Sequence, residues 1–224
     1  MDRLPEPELM NDPAQAHAYA HADFAEPHQR FVSLFTEEFP ALDVRGRVLD
    51  LGCGAADVTL RFARAFPHCE IDAVDGAEAM LKHAHTVIAH AGMQARIHLL
   101  HQCLPATQLA PHRYDTIISN SLLHHLNDPN VLWDAIKTHA RDGAAIFVLD
   151  LIRPASIETA RALVDQYAQG EPDILKHDFF SSLLAAFRPD EIRAQLQRCG
   201  LQQLRIRAVS DRHVLISGNI QNGE

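Results

Sequence analysis

Apolar side chains gather along this chain in short runs separated by helix-length stretches. The runs at 47–51, 70–75, 96–101, 114–119 and 144–151 predict strands, and 56–66, 77–91 and 129–141 predict helices between them. Strands alternating with helices imply right-handed crossovers and a mainly parallel sheet. Thr116-Ile117-Ile118 and the stretch from Ala144 to Leu149 are apolar almost throughout, as strands covered on both faces are. Residues 1 to about 40 contain no strand-like run and predict helices at about 13–23 and 27–38, opened near Asn11-Asp12-Pro13 and ended before Pro40. After Pro154 the pattern turns helical at 155–170, 173–187 and 189–199, the last closed by Gly200. Two further strands, 203–209 and 213–217, are joined through Ser210-Asp211-Arg212 and predict an antiparallel hairpin.

The first strand carries the most informative chemistry. Val48-Leu49-Asp50-Leu51-Gly52-Cys53-Gly54 reads as a buried strand breaking into a glycine turn ahead of a helix. Asp50 within that apolar run requires partners. The second strand ends in Asp75, 21 residues after Gly54. A carboxylate at about that distance past a glycine loop is where nucleotide-binding units hold a ribose diol, so the pair points to an adenosine-type cofactor. A dinucleotide site would want Gly or Ala where this chain has Asp57, and an acidic group at that helix start repels a pyrophosphate.

Composition narrows the class. A length of 224 residues suffices for one large α/β domain, and 47% hydrophobic with 22% charged is ordinary for a globular protein. The formal net charge of −9 argues against broad nucleic-acid binding, and no nucleic-acid partner is expected. The longest apolar runs fall short of the roughly 18 residues a membrane span needs, and the polar, acidic start is unlike a signal peptide. Cys53, Cys69, Cys103 and Cys199 are scattered without a C-x-x-C pair, which suggests a reducing cytoplasm. None of the 15 histidines sits in an H-E-x-x-H pattern, and no metal site is expected.

With these motifs on the page, the chain resembles the class I S-adenosylmethionine-dependent methyltransferases. The resemblance rests on Val48 to Asp57, on Ile71 to Asp75 with Met80, on Tyr114 to Asn120 with Leu123-His124-His125, and on the closing hairpin. It implies a Rossmann-like, doubly wound, mainly parallel seven-stranded sheet ending in the hairpin. It also implies an N-terminal helical lid over residues 1–40 and a methyltransferase domain over 41–224, with a helical cap at about 155–187. By the same resemblance, Gly52, Cys53 and Gly54 pass beside the methionine part of S-adenosylmethionine. Asp50 organises the turn, directly or through water to the cofactor's ammonium. Asp75 takes the ribose hydroxyls, Gly76 and Met80 lie near the adenine, and Asn120 faces the reacting methyl. Where the family usually places an acidic residue by the adenine amino group, this chain has Gln102 and Cys103. Tyr19 belongs to the lid that folds over the cofactor and is expected to contact it.

The acceptor side is less marked. His124 or His125, after a strand end, is the candidate catalytic base for an alcohol or ammonium acceptor. Arg153 and His28 are candidate substrate contacts; Arg153 could instead pair with Asp150. Arg212, His213 and the apolar run from Phe179 to Phe187 could also reach the pocket. The expected function is methyl transfer to a small molecule whose acceptor atom the sequence does not identify. The alternatives are a methyltransferase of tRNA or protein, or a non-catalytic S-adenosylmethionine-binding module. Ser119-Asn120-Ser121-Leu122 replaces the asparagine-proline-proline-aromatic signature of amino-group methylases. A homodimer is left open.

Overall fold

A computed structural model describes residues 1–105, 108–109 and 113–221. Its sheet is built from β1 (Gly46–Leu51), β2 (Cys69–Asp75), β3 (Ile97–His101), β4 (Tyr114–Asn120), β5 (Ala140–Leu151), β6 (Arg205–Ala208) and β7 (His213–Asn219). The strand order is β3-β2-β1-β4-β5-β7-β6. The first five strands pair in parallel, while β7 runs antiparallel to both β5 and β6. This is the mainly parallel, seven-stranded, Rossmann-like sheet with a terminal hairpin that the sequence predicts. The order reverses at β1, between β2 and β4, and a sheet of this kind opens a ligand crevice at such a reversal.

The apolar runs are continuous because adjacent residues face different layers. Val48, Ile118 and Phe147 pack with Phe31, Phe35 and Phe62 on one face. Leu49, Ile117, Ile146 and Val148 pack with Trp133 and Ile136 on the other. The first layer is covered by α2 (Ala25–Glu38), α3 (Asp57–Ala65) and α4 (Glu78–His90). The second is covered by α5 (Asn130–His139), and beyond α6 (Ile157–Tyr167) and α7 (Asp173–Ala185) by α8 (Pro189–Arg198). Along β1 the ladder registers Asp50 beside Ala73 of β2 and Ile118 of β4, which sets the strand ends side by side at the crevice.

α1 (Pro13–His21) is started by Asp12, whose side chain accepts from Ala14 N and Gln15 N, as the Asp-Pro start predicts. The twelve residues before it take no regular structure. Arg3 anchors them by donating to the carbonyls of Ala185, His124 and Leu126. Among the described residues no helix is long and apolar enough to cross a membrane.

Candidate functional site

The glycine turn forms because the chain must reverse between β1 and α3 in little space. Gly52 holds φ +77°, and a Cβ there would lie 2.9 Å from the Leu122 side chain. Ala56, just before α3, also adopts the left-handed region, at φ 67°. Asp50 is fully buried and accepts from the Thr59 hydroxyl at 2.6 Å, the partner its apolar setting demands. Burial, with Asp75 nearby, pushes the Asp50 carboxyl up to about 7, against the opposing bond from Thr59.

Asp75 closes the turn from the neighbouring strand. One oxygen accepts from Gly54 N at 2.8 Å and the other from Ala77 N at 2.7 Å. Burial raises its carboxyl, and those two backbone bonds hold the rise in check. Cys53 is buried, and its thiol is raised by burial and by the two nearby carboxylates. Gly76 packs so closely under Cys103 and Leu9 that a Cβ would come within 2.5 Å and 2.8 Å of them. Met80 is buried beside Gly54.

All these residues line one cavity of about 1040 Å³. Asp50, Gly52, Cys53, Gly54, Asp75, Gly76 and Met80 lie in its wall, with Gln102, Cys103 and Asn120. The sequence-predicted cofactor groups are thus brought together. Tyr19 of α1 and His28 of α2 join them from the N-terminal side. The His28 ring pairs with Asp57 at 2.7 Å, and Arg61 reaches the same carboxylate at 2.8 Å. Burial works to raise Asp57, but the bonds from His28 and Arg61 outweigh it and hold it below its usual range. The Gln102 side-chain oxygen accepts from Gln108 N at 2.9 Å, so the group expected beside the adenine amino group already has a backbone donor.

The same cavity is lined by His124 and His125, in the 3₁₀ turn Leu123–His125 that follows β4. His124 is buried, and its Nδ1 lies 2.6 Å from Asp150 Oδ1 at the end of β5. Asp150 also accepts from Leu123 N and Leu151 N. Burial opposes charge on His124, yet the Asp150 carboxylate wins and raises it above its ordinary value. Asp150 is correspondingly lowered: burial favours its neutral form, but the His124 ring overrides it. Burial and the adjoining His124 drive His125 down to about 3.

Arg153 does not fit the role the sequence suggested. It is buried away from the cavity, where it donates to the Ala186 carbonyl and pairs with Glu191 at 2.5 Å. It therefore neither meets a substrate in the cavity nor pairs with Asp150. The reason is topological: β5 turns into the segment under α8, and Glu191 in the first turn of that helix captures the guanidinium. Arg212, His213 and Phe179 do line the cavity, with Arg212 stacked 3.3 Å above the Tyr167 ring. Two residues that sequence reasoning missed are Glu6 and Asp178, both in the cavity wall. Glu6 lies in a plain acidic stretch with no motif, and only the path of the N-terminal segment reveals it.

Comparison with known proteins agrees with this architecture. Residues 48–143 match the family model described as a methyltransferase domain. That stretch runs from β1 into β5, the part of the sheet that carries the glycine turn, Asp75 and the histidine pair. An uncharacterised methyltransferase of Mycobacterium tuberculosis is 30% identical over 108 residues, 48% of this chain and 52% of that protein. The chain spans about half the length of the curated relatives that match it in this way. A ubiquinone biosynthesis O-methyltransferase of Xanthomonas euvesicatoria is 29% identical over 161 residues, 70% of this chain and 62% of that one. Other matched relatives are named for ribosomal RNA and tRNA methylation, so the relatives do not share one acceptor. The solved structure of a SAM-dependent methyltransferase from Aquifex aeolicus superposes with a TM-score of 0.66 at 16% identity, covering 92% of this chain and 98% of that one.

Proposed function

We propose that this protein transfers the methyl group of S-adenosylmethionine to a small-molecule acceptor. The observation that carries the reading is the shared cavity. It joins a ribose-type carboxylate, a glycine turn and a buried acidic group to two histidines one strand away. Its volume of about 1040 Å³ stands at the upper end of ligand pockets, room for a cofactor and a modest acceptor together.

The donor set fits a sulfonium nucleoside. Asp75 supplies acceptors for a diol, Met80 and Leu104 an apolar wall for adenine, and Asp50 a carboxylate for an ammonium. Asp57 at the start of α3 disfavours a phosphate there. When bound, S-adenosylmethionine supplies the activated carbon and its leaving group. The protein aligns the acceptor in line with that carbon and keeps water out. His124 and His125 lie where they would receive an acceptor hydroxyl, with Asp150 holding the orientation of His124.

Calorimetric titration with S-adenosylmethionine and S-adenosylhomocysteine, with NAD as control, tests this reading. Micromolar binding of the sulfur ligands, weakened in Asp75→Asn, is the expected result. Binding of NAD alone would overturn it. Labelled-methyl transfer to candidate hydroxyl compounds then addresses the acceptor, with His124→Ala expected to lower turnover more than cofactor affinity.

A further inference from the structure

Glu6 enters the cavity from the irregular N-terminal segment and meets the histidine pair. Its Oε1 lies 3.3 Å from His125 Nδ1 and 3.6 Å from His124 Nε2. Neither contact has hydrogen-bond geometry, and among the described residues the buried Glu6 Oε1 and His125 Nδ1 have no hydrogen-bond partner. Two converging buried polar atoms without partners are unusual, since each such group costs about 1–3 kcal/mol. The three ligand atoms all lie within 4.8 Å of one another.

We propose that Glu6, His124 and His125 form a binding site for a divalent transition-metal ion of the zinc type. The spacing fits. A tetrahedral zinc ion with bonds of about 2.0–2.2 Å sets its ligands roughly 3.3–3.6 Å apart. The outer shell fits as well. Asp150 fixes His124 through Nδ1 and leaves Nε2 facing Glu6, the carboxylate–histidine arrangement common behind metal ligands. Two histidines and one carboxylate leave a coordination position open to the cavity. Asp178, also in the cavity wall and with a buried Oδ2 that has no hydrogen-bond partner among the described residues, adds a further acidic group on α7. In the proposed methyl transfer, and only if that reading holds, the open position would bind the acceptor's oxygen and favour its deprotonated form, the histidines then serving as ligands in place of accepting the proton themselves. The ion would also tie the N-terminal segment to the turn after β4.

A second histidine group provides an internal control. His17 and His21 stack at 4.0 Å on α1, and His83 of α4 approaches both. His17 does not line the cavity. The test is titration of chelator-treated protein with Zn²⁺ by calorimetry and with Co²⁺ by visible absorption. We expect one high-affinity ion per chain, bound at least tenfold more weakly in Glu6→Gln and in His125→Ala and unchanged in His17→Ala. The Co²⁺ bands should change in the same two variants. Full-affinity binding in both cavity variants, or loss in His17→Ala, would overturn the proposal. S-adenosylhomocysteine is titrated in parallel. Its failure to bind any form would count against methyl transfer, while the metal result would stand separately.

Discussion

Asp75 of β2 accepts the backbone N–H of Gly54 at 2.8 Å, joining the end of one strand to the turn of the next. Its other oxygen does the same for Ala77 N. The residue expected to hold a ribose is therefore also a brace for the loop beside that ribose. Asp75→Ala leaves both N–H groups without their acceptor, at about 1–3 kcal/mol for each that stays buried. Asp75→Asn retains one carbonyl acceptor and loses the charge. Alanine should lower thermal stability clearly more than asparagine, while both weaken S-adenosylhomocysteine binding by about tenfold or more. Melting curves beside calorimetry separate the two effects; equal melting temperatures would show that the brace carries no weight.

Asp50 makes a pH prediction with two opposite signs. Its folded carboxyl stands at about 7, against an ordinary value of about 3.9. Between those values the folded chain binds the proton more tightly than the unfolded chain. Its stabilising contribution is therefore complete below about pH 4 and fades as pH rises through about 7. The slope approaches 1.4 kcal/mol per pH unit within the window. Affinity for a cationic ammonium runs the other way, because only ionised Asp50 attracts it. Binding of S-adenosylhomocysteine should strengthen up to about tenfold from pH 6 to pH 8. Asp50→Asn should flatten both trends, read by denaturant titration and calorimetry across pH.

Gly52 and Gly54 are not equivalent. At Gly52, φ +77° and three Leu122 carbons within 3.1 Å oppose any side chain. At Gly54, φ is +53°, and beyond its chain neighbours a Cβ would meet, among the described residues, only the Cε end of the Met80 side chain within 4 Å, at 3.2 Å. Both alanines carry the left-handed penalty of about 1–2 kcal/mol, and Gly52→Ala adds a clash with a side-chain root. Gly52→Ala should lose the more stability in denaturant titration. The reverse order would mean that Leu122 moves freely.

The fold and the cofactor wall were legible because period and position encode them. Val48 and Leu49 point to opposite layers, so their strand is apolar throughout, and the helices between strands force parallel order. Asp50, Gly52, Gly54 and Asp75 announce themselves as a costly carboxylate, a tight turn and a strand-end acid. The acceptor side has no such local signature. Glu6 reaches His125 across 119 positions of sequence, a pairing that no spacing rule predicts. Arg153 failed in the opposite way: its place after a strand suggested the crevice, but the first turn of α8 supplied a nearer carboxylate.

Arg153 consequently behaves as a structural residue, and its substitution can be separated from substrate binding. Its Nη1 donates to the Ala186 carbonyl at 2.8 Å, its Nη2 to Glu191 at 2.5 Å and its Nε to the Met1 carbonyl at 3.3 Å. The Arg153 side chain is 3% exposed and that of Glu191 37%, so removing the cation leaves a carboxylate that water still reaches. The loss should therefore fall below the 3–5 kcal/mol of a fully buried broken pair, at about 2 kcal/mol. Lysine cannot reproduce three separately aimed donors, so Arg153→Lys should recover little. A double-mutant cycle with Glu191→Gln should show coupling of about 1 kcal/mol or more. With an acceptor in hand, KM and kcat at a temperature well below melting should stay within about twofold of the parent. A large rise in KM without loss of stability would return Arg153 to the substrate.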